Sequence, residues 1–201
     1  MFTRRSRALA LLSLAALLAL APPVHANVGS LRSAIMLPGD APPGLSTPHS
    51  RIYTQFTRKM KVATKTAGVP GKGSTDCPVP ASFAHDGWIQ GLVEGFDSDQ
   101  IFHVLSLCAS AFRTVQGAHS AYAATRTDIV RYLKKHHLQF TSIPQVGPES
   151  FGYGAAQGQL VVGEIAFRHD NALVQLYYLG PSSYSFDTFV ALARKTNQRL
   201  H

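Results

Sequence analysis

The sequence predicts an α+β domain, a mostly antiparallel sheet of about five strands with two main helices packed on one face, in the order ββα-βββα. Three observations carry this. Short runs rich in β-branched and aromatic residues recur at 87–96, 101–112, 160–168 and 172–179, each bounded by turn residues. Polar turns, "DSDQ" at 97–100 and "HDN" at 169–171, join consecutive runs, so hairpins outnumber parallel crossovers. Finally, 114–137 and 186–200 repeat apolar residues in steps of three and four, the period of a helix.

Residues 1–26 read as a signal peptide. "MFTRRSR" is a basic start, Ala8 to Ala21 is apolar apart from Ser13, and "VHA" fits a cleavage signal after Ala26. The apolar run is shorter than the ~20 residues that span a bilayer, and the chain after it carries no transmembrane segment. Three of the 19 Lys and Arg precede Asn27 and all 11 acids follow it, so the net charge falls from +8 to +5, 16 cations against 11 acids. That mild excess gives no reason to expect nucleic acid. The exported part contains Cys77 and Cys108, and an oxidising compartment makes their pairing the expected state.

Residues 27–82 form an N-terminal segment. It holds a short helix near Leu31, a proline-rich turn "PGDAPPG", a cation-rich extended stretch and a loop at 64–82. Between Ala41 and Thr75 there is no acid, against six cations: Arg51, Arg58, Lys59, Lys61, Lys65 and Lys72. They offer contact with an anionic surface.

Residues 83–201 form the core domain. The strands at 87–96 and 101–112 pair through "DSDQ". Thr114 is the N-cap of the long helix, whose buried stripe runs Val115, Ala118, Tyr122, Thr125, Ile129, Tyr132 and His136. A short strand surrounds Phe151. In the 160–179 hairpin, one face is Val161, Gly163, Ile165, Phe167, Ala172, Val174, Leu176 and Tyr178. It is wholly apolar and belongs in the core. The other face mixes Glu164, Gln175 and Arg168 with Val162, Leu173, Tyr177 and Leu179.

"LRSAIMLPGDAPPGL", "LSLCASAFRTVQGAHSAY" and "GEIAFRHDNALVQLYYLGP" followed by "FVALARKTNQRL" resemble exported bacterial α+β domains of the sensor-like and PsbP-like type. The resemblance spreads over most of the mature chain and is structural. It implies an α+β fold outside the cytoplasm and supplies no catalytic residues or cofactor. The cation-rich 51–72 segment departs from it.

Candidate chemistry is sparse. "RYLKKHHLQF" at 131–140 reads as a helix end, because adjacent histidines point ~100° apart, whereas a metal favours the i, i+4 spacing. Its cations complement the negative helix terminus. Asp97 and Asp99 lack the downstream glycine and glutamate of a calcium loop, and "GYGAAQG" precedes a strand rather than a helix. No metal set is expected. A four-residue "DSDQ" turn sets Glu94 opposite His103, a carboxylate–imidazole pair suited to general base work. No G-x-S-x-G or S-x-x-K nucleophile accompanies it. On the mixed sheet face, Trp88, Glu164, Arg168 and Tyr177 are the ligand-binding candidates. The favoured reading is an exported non-catalytic module binding a ligand, protein partner or envelope component. The alternative is a secreted hydrolase or metal-dependent enzyme using histidine with carboxylates.

Overall fold

The structure, a computed structural model, describes residues 28–65, 73–137, 141–147 and 149–200. The expected signal peptide, 1–26, its cleavage position at Ala26, and Lys72 lie outside the described residues. The elements in order are α1 (Val28–Ser33), β1 (Leu45–Tyr53), β2 (Lys59–Thr64), β3 (Gly73–Pro78), α2 (Ser82–His85), β4 (Trp88–Ser98), β5 (Val104–Phe112), α3 (Val115–Lys135), β6 (Thr141–Ser142), β7 (Glu149–Gln157), β8 (Leu160–His169), β9 (Ala172–Pro181) and α4 (Phe186–Arg199). A seven-stranded sheet runs β1-β4-β5-β9-β8-β7-β6, and β2 and β3 make a separate hairpin. Every strand pair is antiparallel.

From β4 to α4 the expected ββα-βββα order is present, with the two-residue β6 added. The larger strand count has a physical cause. β1, from the cation-rich segment, pairs with β4 from Leu45↔Ser98 to Tyr53↔Gly91 and becomes one edge of the sheet. The expected loop at 64–82 contains β3, paired with β2 from Lys59↔Pro78 to Thr64↔Gly73. Its glycine, serine and aspartate hide a strand because backbone bonds, not apolar side chains, hold most of it; only Thr75 and Cys77 turn inward.

The main helices lie on opposite faces, not on one. Neighbouring residues of β9 settle this, because alternate side chains leave a strand on opposite sides. Val174, Leu176 and Tyr178 join a cluster with Phe189, Val190 and Ala193 of α4 and Leu31 of α1. Leu173 joins a second cluster with Ala118, Ala121 and Tyr122 of α3, Phe83 of α2, Met60 of β2 and Cys77 of β3. The apolar face of the 160–179 hairpin belongs to the α4 side, and the mixed face lies beneath α3. A one-face arrangement would have left the second apolar cluster in water.

Local chemistry fits each helix to its place. The Thr114 side chain accepts the Gly117 amide at 3.0 Å, and Ser185 caps α4 by accepting the Thr188 amide at 3.3 Å. The stripe of α3 runs through Ala118, Ala121, Tyr122 and Thr125 to Leu133, not to Tyr132 and His136. His136 is therefore exposed, like His137, and stacks on Tyr132 with ring centroids 4.4 Å apart. From Ile129 a step of four reaches Leu133, which stays over the sheet where a step of three does not.

Asp40, in the turn after α1, anchors the N-terminal segment to α4. Its carboxylate accepts the Leu37 amide at 2.8 Å, is bonded by Arg199 at 2.6 Å, and is paired with Lys195. Burial pushes this carboxyl up, but the Arg199, Lys195 and Leu37 bonds outweigh it and hold it at about 2. The β2–β3 hairpin lies directly on β4. A Cβ at Gly91 would collide with the Met60 sulfur, and one at Gly95 with the Thr75 hydroxyl. Glycine is required at both for close approach. Cys77 of β3 and Cys108 of β5 form a disulfide, with Cα atoms 5.8 Å apart, and tie the hairpin to the sheet.

Closing this loop constrains the unfolded chain by about 3–4 kcal/mol on the chain-entropy model. Replacing both cysteines by alanine is expected to lower the urea unfolding free energy by about that amount. An unchanged midpoint would show that the disulfide adds nothing the hairpin packing lacks.

Candidate functional site

Glu164, at the middle of β8, sits opposite Tyr153 of β7 and opposite Tyr177 of β9. All three side chains leave the sheet on the α3 side, so they form a Tyr–Glu–Tyr row across three strands. Gln175, a diagonal neighbour, completes the polar group. The Tyr153 hydroxyl donates to Glu164 Oε2 at 2.9 Å, and the Gln175 amide reaches Oε1 at 3.5 Å.

Above this row α3 does not close fully. A cavity of about 770 Å³ remains, lined by Thr125, Asp128, Ile129 and Tyr132 of the helix and by the Tyr–Glu–Tyr row. Val162, Gln175 and Leu179 of the sheet and Pro78 and Pro80 at the end of β3 supply the rest of the wall. Its lining is mainly apolar with a few convergent polar groups, the usual make-up of a small-molecule site. Burial raises the Glu164 carboxyl above its ordinary range, against the Tyr153 and Gln175 bonds that lower it. Burial, then the neighbouring Glu164, raises the Tyr153 and Tyr177 hydroxyls. All three groups are thus biased toward their neutral forms.

The structure brings Glu164 and Tyr177 together and separates the other two ligand candidates. Trp88 is 7% exposed; it donates to the Ser110 hydroxyl at 3.2 Å and meets Phe56 edge-on at 5.7 Å. The β4 ladder slips between Trp88 and Gln90, and this irregularity carries Trp88 into the second core cluster rather than onto an open face. Arg168 lies at the far end of β8 and pairs with Glu149, while its second nitrogen donates to the Asp170 carbonyl at 2.6 Å. Tyr153 was missed by sequence reasoning. Its signal was an aromatic between two glycines. A Cβ at Gly154 would strike Phe186 of α4, so the glycines belong to the other face and Tyr153 to this one.

The Glu94–His103 pair does not form. Glu94 stands opposite Leu107, because β4 continues through Ser98 and β5 begins at Val104, which moves the turn toward the C-terminus. Glu94 is fully buried on the α4 side; Oε2 accepts the Met36 amide at 2.9 Å, while Oε1 has no partner among the described residues. His103 is 2% exposed and meets Tyr178 edge-on at 5.9 Å, with Nε2 3.5 Å from its hydroxyl. Burial lowers its basicity, against the charge of Asp99, so His103 is biased toward its neutral form. Neither group opens to a cleft.

An unforeseen imidazole–carboxylate pair does form on the outer side of α3. His119 Nδ1 lies 2.6 Å from Glu149 Oε1, beside Ser150 in a shallow groove. The Ser150 hydroxyl donates to the Gly147 carbonyl, not to His119. Among the described residues no group of three or more histidine, cysteine, aspartate or glutamate side chains is placed to hold a metal. The cations of the N-terminal segment are dispersed around β1 and the small hairpin. Arg51, Lys59 and Lys61 line one groove, where Lys59 is paired with Asp76 at 2.6 Å and Arg51 lies over the Tyr53 ring at 4.9 Å. The Arg58 carbonyl accepts the Val79 amide, and the Lys65 amide donates to the Asp97 carboxylate.

No protein-family model and no curated protein matches the chain. Among solved structures it is similar to the extracellular domain of PknH from Mycobacterium tuberculosis, at 11% identity and a TM-score of 0.44, over 77% of this chain and 84% of that one. That likeness is too slight to carry a function across. Among the described residues no helix is long and apolar enough to cross a membrane.

Glu94 supplies a test of the core electrostatics. Burial pushes its carboxyl from 4.5 up to about 7, against the lowering by the Met36 amide. The folded form binds the proton more tightly than the unfolded one. Its contribution is full below pH ~4.5 and is lost as pH rises through ~7, roughly 3 kcal/mol in all. Glu94→Gln keeps an acceptor for Met36 and removes the titration. In urea unfolding at pH 5 and pH 8, the variant is expected to lose less stability between the two than the parent protein. Equal losses would refute the assignment.

Proposed function

We propose that the chain is an exported, non-catalytic α+β module that holds a small ligand in the cavity between α3 and the sheet. The Tyr–Glu–Tyr row carries this reading: an acid held in a largely apolar cavity by neutral donors costs stability, and groups held at such a cost cluster at functional sites. The apolar walls supply affinity and the row fixes orientation. Export is supported by the leader-like pattern of residues 1–26 and by the Cys77–Cys108 disulfide, which oxidising compartments favour. The non-catalytic part is supported by the burial of Glu94 and His103 in the α4-side core and by the bonding of Ser150 away from His119. The other ligand partner, if an envelope component, would meet the cations around Arg51 and Lys61 rather than the cavity.

A neutral solvatochromic dye tests the cavity. It is expected to bind the parent protein with a blue-shifted emission, and Leu179→Trp, which fills the cavity wall, is expected to weaken binding at least about tenfold while the circular dichroism stays unchanged. Dye binding that ignores the Trp side chain would overturn the cavity as the site. Intact mass of the secreted protein tests export: an N-terminus at Asn27 is expected, and retention of Met1 would count against the leader.

A further inference from the structure

The geometry points to an organic cation, an amine with an apolar body, as the class of ligand held over Glu164; this rests on the cavity reading above. The first ground is charge. After Ala26 the chain carries a formal net charge of +5, 16 cations against 11 acids, yet among the described residues the cavity lining contains two carboxylates, Glu164 and Asp128, and no lysine or arginine. Cations are abundant elsewhere on the protein, so composition alone does not explain their absence from this wall.

The second ground is the bonding of Glu164. Asp40 is bonded by Lys195 and Arg199, and Glu149 by Arg168 and His119. Among the described residues Glu164 is bonded by a tyrosine hydroxyl at 2.9 Å and an amide at 3.5 Å, and no cation pairs with it. Two carboxylate oxygens offer about four lone-pair sites, so acceptor capacity faces the cavity. Asp128, at the helix edge, is already bonded by Arg131 at 2.6 Å and contributes field rather than a free partner.

The third ground is aromatic. Tyr132, Tyr153 and Tyr177 share the cavity with Glu164. A carboxylate flanked by π-systems suits an ammonium group, which a ring face attracts and a carboxylate bonds. An anion would meet the charge of Asp128 and the acceptor oxygens of Glu164. A neutral apolar molecule would leave the carboxyl capacity unused. Burial bias toward the protonated acid fits the same picture, because an incoming ammonium restores the ionised form.

A matched pair of probes, n-octylamine and 1-octanol, tests this at pH 7.5 by NMR titration and by displacement of the neutral dye. Octylamine is expected to bind at least about tenfold tighter, and Glu164→Gln to bring the amine-to-alcohol affinity ratio close to one. Tyr132→Ala, on the exposed side of the helix, is expected to weaken the amine about two- to fivefold and octanol less. Equal affinities, or a preference that survives Glu164→Gln, would refute the cation assignment while the cavity stands. Failure of dye, amine and alcohol alike would refute the cavity itself.

Discussion

A sheet with two apolar faces must be covered twice, and the rest of the molecule follows from meeting that demand. β5 and β9, at its centre, send Leu107 and Val174 one way and Cys108 and Leu173 the other. α4 and α1 close the first side. The second needs more pieces: α3, α2 and the β2–β3 hairpin, the last fastened by the Cys77–Cys108 disulfide. A patchwork cover is harder to make complete than a single helix over a flat apolar face. The gap it leaves, between the C-terminal half of α3 and β7–β9, is the cavity.

Three acids withdrawn from water are held in three different ways, and the contrast identifies the one of interest. Asp40 is surrounded by cations and stays ionised, so it works as an anchor between the N-terminal turn and α4. Glu94 accepts one amide and forms no ion pair among the described residues, and burial pushes its carboxyl to about 7; it belongs to the core and weakens it as pH rises. Glu164 has neutral donors and an open space in front of it. Only the last combines an unpaired charge capacity with room for a partner.

The 160–179 hairpin was legible in detail because a two-residue turn fixes register and parity together. Its apolar face, Val161 through Tyr178, is buried as expected, whereas the pairing of Glu164 with Tyr177 depends on which two residues of "HDN" make the turn. The first hairpin shows the opposite case. Asp97 and Ser98 look like turn residues, yet they continue β4, and moving the turn replaced His103 by Leu107 as the partner of Glu94. Trp88 keeps to the α3-side face, but Phe56 and the second apolar cluster bury it there, apart from the Glu164 row. β3 was hidden by polar composition; the glycines beside Tyr153 mark its face, but they do not say which residue of β8 it pairs with.

Composition and periodicity alone determined the α+β class with an antiparallel sheet, the ββα-βββα order of the core, the Thr114 cap and the first turns of the α3 stripe, because these depend on spacing within a few residues. The reading of His136 and His137 as a helix end rather than a metal pair also came from spacing, since adjacent histidines diverge on any helix. Only the tertiary structure decided that α3 and α4 take opposite faces, that β1 joins the sheet, and that Tyr153, Glu164 and Tyr177 form one row beneath a gap. Those outcomes depend on contacts between segments far apart in sequence, where a shift of one residue reverses a face and local pattern carries no record of the partner.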